Sequence, residues 1–150
     1  MPPAIAEELA VRSGGHPLLL RELGLFDEWF LGTHLGIALD ADERASLVAV
    51  YRTLVEAALA QPQVLVHRDY MPRNLMPCGE EVAILDFQDA VRGPIGYDPA
   101  CLFKDAFLSW PEERVARWHA RYHALATQAG LPVPPLQRLR RDLDLIGVHR

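Results

Sequence analysis

The sequence predicts a single α+β domain, mainly α-helical with a small β-hairpin in the middle. Three observations predict it. Apolar residues recur at spacings of three and four in several stretches, proline and glycine separate those stretches, and only residues 63–85 carry short β-branched runs of strand length. A chain of 150 residues, 50% apolar and 23% charged, is large enough for one buried core and too apolar for a disordered chain.

The elements follow in order. Residues 4–12 predict a short helix stopped by Ser13-Gly14-Gly15. Leu19, Leu23, Phe26 and Phe30 then mark one face of a helix over 17–31, with Gly32 as its end. Asp40 and Glu43 form an N-cap and capping-box pair. They open a helix over 41–60 whose stripe is Leu47, Val50, Tyr51, Leu54, Val55 and Ala58, closed by Pro62. Gln63-Val64-Leu65-Val66 predicts a strand. Leu75-Met76 and Val82-Ala83-Ile84-Leu85 predict a hairpin across Pro77-Cys78-Gly79-Glu80-Glu81. A loop follows over 87–97. Asp98 before Pro99 has the pattern of an N-cap with proline at the first helical position, opening a helix to about residue 108. Ser109 and Glu112 repeat the capping-box pattern ahead of a helix to about residue 129, ended by Gly130. A last helix begins near Leu136, with Leu139, Leu143 and Ile146 on its buried face and no stop signal before Arg150.

Charge and cysteine content narrow the function classes. Twenty acids against 15 bases give a net charge of −5, which argues against a nucleic-acid partner that would need a basic stripe. No apolar run approaches the roughly 18 residues of a membrane span. The start lacks a basic stretch followed by an apolar core, so the expected location is the cytoplasm. Cys78 and Cys101 fit neither a disulfide framework nor a Cys-x-x-Cys metal site and are expected as reduced thiols. Fourteen of the 15 bases are arginine and the single lysine is Lys104.

The polar residues that carry chemistry gather around the hairpin. Val66-His67-Arg68-Asp69-Tyr70-Met71-Pro72-Arg73-Asn74-Leu75 holds a His-x-Asp with an asparagine five positions after the aspartate. Twelve residues later comes Ile84-Leu85-Asp86-Phe87. Two aspartates and one asparagine at the ends of adjacent short strands suit phosphoryl transfer from a magnesium nucleotide. Mg²⁺ takes hard oxygens, a few from protein and the rest from phosphate and water, and Asn74 and Asp86 offer such oxygens. Asp69 can accept a hydrogen bond from the acceptor hydroxyl and hold it in line. The plainer account is a buried loop histidine with Asp69 and Asn74 satisfying turn amides.

These segments resemble the catalytic and metal-binding loops shared by protein kinases and the aminoglycoside/choline kinase-like phosphotransferases. Gln88 stands where the protein kinases have the glycine of Asp-Phe-Gly, Met71 stands where many have lysine, and no Ala-Pro-Glu follows. Gly93-Pro94-Ile95-Gly96-Tyr97-Asp98-Pro99-Ala100 is similar instead to a segment of the small-molecule group whose aspartate braces the catalytic loop. Within that group the chain most resembles bacterial sugar kinases that phosphorylate the anomeric hydroxyl of N-acetylmuramate and N-acetylglucosamine. That resemblance rests on Arg21-Glu22-Leu23 to Trp29-Phe30-Leu31, on residues 67–76, on Leu85-Asp86-Phe87-Gln88-Asp89-Ala90, and on Cys101-Leu102-Phe103-Lys104-Asp105-Ala106-Phe107 to Trp110.

The resemblance implies the C-terminal lobe of a protein-kinase-like fold, with ATP and Mg²⁺ as cofactors and a small sugar as partner. Asp69 would be catalytic, Asn74 and Asp86 would bind Mg²⁺ and nucleotide, and His67 and Asp98 would hold the loop. Apart from the resemblance, Arg73 is a candidate to meet the γ-phosphate or else a surface arginine, and Asp89, Lys104 and Asp105 are candidates to hydrogen-bond the sugar, with solvated or intramolecular ion pairs the favoured account. No G-x-G-x-x-G or G-x₄-G-K-[ST] occurs, and Lys104 lies after Asp69 rather than before it. The N-terminal ATP-binding lobe is therefore expected to be missing, with residues 1–150 a partial phosphotransferase truncated at both ends. Weak activity alone and self-association through an exposed lobe face are expected. Trp29 and Trp110 are expected in the core, and His119 and His123 on a solvated helix face rather than in a metal site. Three alternatives stay open: an aminoglycoside or choline-type kinase, an inactive pseudokinase acting as a binding module, and a helical interaction protein with a fortuitous motif.

Overall fold

The computed structural model describes residues 17–105 and 107–149. The chain divides into two units, residues up to 58 with 148–150, and residues 59–147. The helix expected over 4–12 lies outside the described residues.

In the first unit, helix α1 (Pro17–Leu25) runs directly into a π-helical segment, Phe26–His34. The wide turn passes through Gly32 instead of stopping there. Added there, a Cβ would stand 3.2 Å from the Asp27 carbonyl, so glycine lets the wide turn close. The changed pitch rotates the expected stripe: Leu19 and Leu23 are buried, while Phe26, Phe30 and Trp29 are exposed, so Trp29 is not a core residue. Helix α2 (Ala41–Leu59) starts as expected. Asp40 Oδ1 accepts the Asp42 and Glu43 N–H groups at 2.9 Å each, and Glu43 Oε2 accepts the Asp40 N–H at 3.0 Å. That reciprocal box satisfies donors that helix geometry orphans. Tyr51, Leu54, Val55 and Ala58 form its buried stripe, and Val50 is exposed. The Tyr51 hydroxyl donates to Asp27, and burial together with that carboxylate pushes the phenol pKa up.

Among its described residues the second unit holds two antiparallel strand pairs, three α-helices and a 3₁₀ turn, Pro72–Asn74. Strand β1 (Gln63–Val66) pairs with β4 (Val91–Pro94), Val66 opposite Val91 and Gln63 opposite Pro94. The sequence pattern leaves β4 inside a loop, because Val91-Arg92-Gly93-Pro94 carries one β-branched residue and two breakers. Its Gly93 faces Val66, where a Cβ would come within 2.7 Å of the valine methyl. The hairpin is β2 (Leu75–Cys78) with β3 (Glu81–Ile84), longer than expected and joined by Gly79-Glu80. Gly79 takes φ +65° at the first position of that turn, where glycine is favoured.

Helix α3 (Tyr97–Phe103) begins at an N-cap of Gly96, not Asp98, and ends five residues earlier than expected. Helix α4 (Glu112–Gln128) has Pro111 at its N-cap with no side-chain cap bond, so the Ser109–Glu112 pattern is unused. At its other end Gly130, φ +74°, donates to Thr127 O at 3.0 Å, and Leu131 N donates to Ala126 O at 2.9 Å. These two bonds are a Schellman stop. Helix α5 (Leu136–His149) buries Leu139, Leu143 and Ile146 as expected. Ile95, Tyr97, Ala100, Cys101 and Ala126 are buried in the same unit. No helix among the described residues is long and apolar enough to cross a membrane.

Candidate active site

The polypeptide leaves β1 at Val66 and turns sharply. Arg68 has φ 77°, a left-handed conformation that costs a non-glycine residue roughly 1–2 kcal/mol. The turn is held from α3. Asp98 Oδ2 accepts the His67 N–H at 2.7 Å, and its Oδ1 accepts the Arg68 N–H at 3.0 Å. Cys101 Sγ, one helical turn further on, donates to the Arg68 carbonyl at 3.3 Å. Asp98 therefore braces two consecutive amides 30 and 31 residues upstream. Its place in the first turn of α3 adds the helix dipole to those charge-assisted bonds.

His67 is buried and bonded at both ring nitrogens. Nε2 lies 2.9 Å from the Leu85 carbonyl, which only accepts, so Nε2 carries the proton. Nδ1 then accepts the Asp69 N–H at 3.3 Å. The ring is a neutral strut tying the loop after β1 to the end of β3. Asn74 Nδ2 donates to the Asp69 carbonyl at 2.9 Å, which turns the amide oxygen to the other side. Leu85 N donates to Asn74 O at 2.9 Å, extending the hairpin ladder. So Asn74 stands beside Leu85, and Asp86 follows at once.

Asp86 is exposed and has φ 64°. The Gln88 amide donates to its Oδ1 at 2.5 Å, so the residue that departs from Asp-Phe-Gly orients the carboxylate. The Asn74 amide oxygen and the Asp86 carboxylate are hard donors on neighbouring backbone positions. That set suits Mg²⁺, which takes one or two protein oxygens and completes its shell with phosphate and water. Arg73 is exposed; its guanidinium lies 4.8 Å from the centre of the Phe107 ring, and its Nε is 2.8 Å from Met71 Sδ.

Of the remaining candidates, Asp89 shares the loop of Asp86, and Lys104 and Asp105 follow α3. Asp89 is exposed in the turn before β4. Lys104 pairs with Asp144 at 2.5 Å, and Asp105 Oδ1 accepts the Phe107 and Leu108 N–H groups at 2.7 and 3.1 Å. Lys104 and Asp105 line a cleft of about 580 Å³ that also includes His119 and Trp110. His119 is buried, and His123 Nε2 bonds Pro134 O at 3.1 Å, so neither belongs to a solvated face. Cys78 and Cys101 are both free thiols. Sequence reasoning missed Cys101 as an anchor and Asp144 as the partner of Lys104. A thiol–carbonyl bond across 33 residues leaves no local pattern to detect.

Residues 9–135 match the phosphotransferase enzyme family, and the chain belongs to that family. The chain is 51% identical over 134 residues to the N-acetylmuramate/N-acetylglucosamine kinase of Pseudomonas putida, covering 89% of this chain and 40% of that protein. The figures are the same for the kinase of that name from Pseudomonas aeruginosa. The Neisseria meningitidis protein of the same name is 44% identical over 133 residues, 88% of this chain and 40% of its own. The chain thus spans about two fifths of the length of these relatives.

Proposed function

We propose that the chain carries the catalytic and metal-binding loops of an ATP- and Mg²⁺-dependent kinase that phosphorylates the anomeric hydroxyl of N-acetylmuramate and N-acetylglucosamine in peptidoglycan recycling. The observation that carries this reading is the double brace of Asp98 on the His67 and Arg68 amides, which holds the turn leading into Asp69, whose carbonyl accepts from Asn74 Nδ2. The names of the relatives support the substrate. Asp69 accepts the hydroxyl proton and aligns the attacking oxygen. Asn74 and Asp86 hold Mg²⁺, which supplies charge neutralisation for the transferred phosphoryl group. Arg73 lies within the same loop to meet phosphate oxygens. Catalysis is then mainly positioning and electrostatics.

None of the 150 residues forms a glycine-rich phosphate loop, so that cradle and its lysine come from polypeptide outside them. The chain alone is accordingly a poor catalyst. The test is phosphate transfer from ATP-Mg²⁺ to both amino sugars and to an aminoglycoside panel. It is run with the chain alone and with the chain supplemented by the N-terminal segment of a relative. Transfer to the amino sugars only in the supplemented sample supports the reading. Transfer to aminoglycosides instead replaces the substrate. No transfer at all, with sugar still bound, makes the protein a binding module.

The exposed side chains of Leu65, Phe87 and Phe107 also favour self-association. Sedimentation velocity is expected to show a concentration-dependent mass, and a monomer at every concentration overturns that expectation.

A further inference from the structure

Gln61 stands outside the loops described above, in the turn between α2 and β1, and is 3% exposed. A buried amide needs a partner, and its Oε1 finds one 35 residues on, accepting the Gly96 N–H at 3.0 Å. A backbone N–H only donates, so the oxygen of the amide faces Gly96. Gln61 Nε2 is buried and meets no hydrogen-bond partner among the described residues. The accepting oxygen is therefore the working end of the side chain. Gly96 is the N-cap of α3, and a Cβ added there would stand 2.8 Å from Gln61 Oε1, so glycine permits the approach. The neighbouring residues repeat the tie, since Ile95 N donates to Pro62 O at 2.9 Å.

That anchor answers a need created at the catalytic loop. An aspartate in the first turn of a helix ordinarily serves amides close to it in sequence. Asp98 serves distant ones instead, Oδ2 accepting from His67 and Oδ1 from Arg68. Gly96 has no side chain to cap with, and α3 starts without a side-chain cap bond. The start of α3 is held from the turn before β1, by Gln61 and Pro62. The polypeptide is thus tied to α3 at both ends of β1, ahead of it by Gln61 and behind it by His67 and Arg68. Asp98 follows Gly96 by two residues, so the place of its carboxylate depends on the hold at Gly96. The margin is narrow. The Arg68 bond is 3.0 Å and hydrogen bonds fade beyond about 3.5 Å, so a shift of about 0.5 Å in α3 loosens the clamp.

We propose that Gln61 is a positioning residue for phosphate transfer. Through Gly96 it fixes the start of α3, through α3 the Asp98 carboxylate, and through Asp98 the turn that leads into Asp69. This rests on the reading of Asp69 as the group that aligns the acceptor hydroxyl. Losing the tie leaves every catalytic side chain present and lowers the share of molecules in which Asp69 is aligned. The rate of the chemical step then falls while the affinities for both substrates stay, the pattern of an interaction felt only in the transition state.

The experiment uses Gln61→Met, which keeps the length of the side chain and removes the accepting oxygen. Amide hydrogen exchange of the chain and phosphate transfer by the supplemented enzyme are both measured well below the melting temperature. Exchange at the His67 and Arg68 amides is expected to quicken about tenfold, with the amides of α4 unmoved. For transfer, kcat is expected to fall about tenfold to a hundredfold, with KM for sugar and for ATP each within about twofold. Gly96→Ala presses on the same oxygen from the other side and is expected to give the same pattern, and it decides the matter if Gln61→Met does not fold. In an Asp98→Asn chain, whose clamp is already weakened, Gln61→Met is expected to add little further loss of kcat. Unmoved exchange at His67 and Arg68, exchange that quickens equally in α4, a rise in KM with kcat kept, or an equal loss with and without Asp98→Asn overturns the proposal. If transfer by Gln61→Met matches the parent, the proposal falls and the kinase reading stands. If the two amides exchange faster but no preparation transfers phosphate, Gln61 still positions the loop and the kinase reading falls.

Discussion

The loop after β1 and the loop after β3 carry the same kind of strain and answer it differently. Arg68 and Asp86 are the two non-glycine residues with positive φ among the described residues. Arg68 is clamped on both faces of its peptide, by Asp98 at the amides and Cys101 at the carbonyl. Asp86 sits exposed, with the Gln88 amide on its carboxylate and the ladder bond at Leu85 behind it. Strained backbone of this sort gathers at functional sites. The contrast teaches that the loop carrying Asp69 is braced by partners some 30 residues away, whereas the loop carrying Asp86 is held by local contacts.

The largest expected effect removes the group that the braced loop carries. Asp69→Asn is expected to lower kcat for phosphate transfer by about 10²- to 10⁴-fold, with an unchanged melting temperature. Comparable transfer by the variant would break the assignment of roles to the two loops. Asp98→Ala comes next. It orphans the His67 and Arg68 amides and leaves the strained turn unbraced, for a loss of about 2–4 kcal/mol in denaturant unfolding together with most of the transfer. If stability fell by less than about 0.5 kcal/mol, the loop would not depend on its clamp.

Asp86→Gly sharpens the contrast, because stability and activity should part. Glycine relieves the left-handed strain, worth about 1 kcal/mol, and the melting temperature is expected to rise by about 2–4 °C. The Mg²⁺ concentration needed for half-maximal transfer is expected to rise about tenfold or more, since a direct ligand should matter at least as much as an outer-shell partner. A fall in both would mean that the metal loop is braced as the catalytic loop is.

The smallest effect lies outside both loops, at His119. Burial lowers its pKa in the folded chain below the ordinary 6.5. As pH falls through 6.5 the unfolded chain takes up a proton that the folded chain resists, so His119 costs stability on the acid side and nothing above. Melting curves from pH 7.5 to 5 should show a steeper acid decline for the parent than for His119→Gln. Parallel declines would remove His119 from that account.

Much of this was legible wherever the cause was local. The Asp40–Glu43 box, the strand at 63–66 and the buried stripe of α5 each follow from residues within a few positions of one another. Asp69, Asn74 and Asp86 stand out by their spacing, and the structure sets Asn74 on the Asp69 carbonyl and beside Leu85, next to Asp86. What escaped depended on distant partners. Asp98 looks from its neighbours like a helix cap because Pro99 follows it; only the resemblance gave it the bracing role that its carboxylate fills for amides 30 and 31 residues away. Strand β4 exists because β1 offers it a partner, not because Val91-Arg92-Gly93-Pro94 favours extension. Gly32 looks like a stop until the turn widens to pass through it.

The pairing of β1 with β4 has a topological consequence. The two strands meet at Val66 and Val91 and close the polypeptide between them into a ring, within which Asp69, Asn74 and Asp86 all lie. Closing such a ring costs chain entropy once, at its neck, and the cost grows only slowly with the number of residues enclosed. Length changes at the Gly79-Glu80 tip, the far point of the ring, should therefore cost the neck little. A defect at the neck is different. A methyl group at Gly93 strikes Val66 and loosens all three side chains together, though it touches none of them.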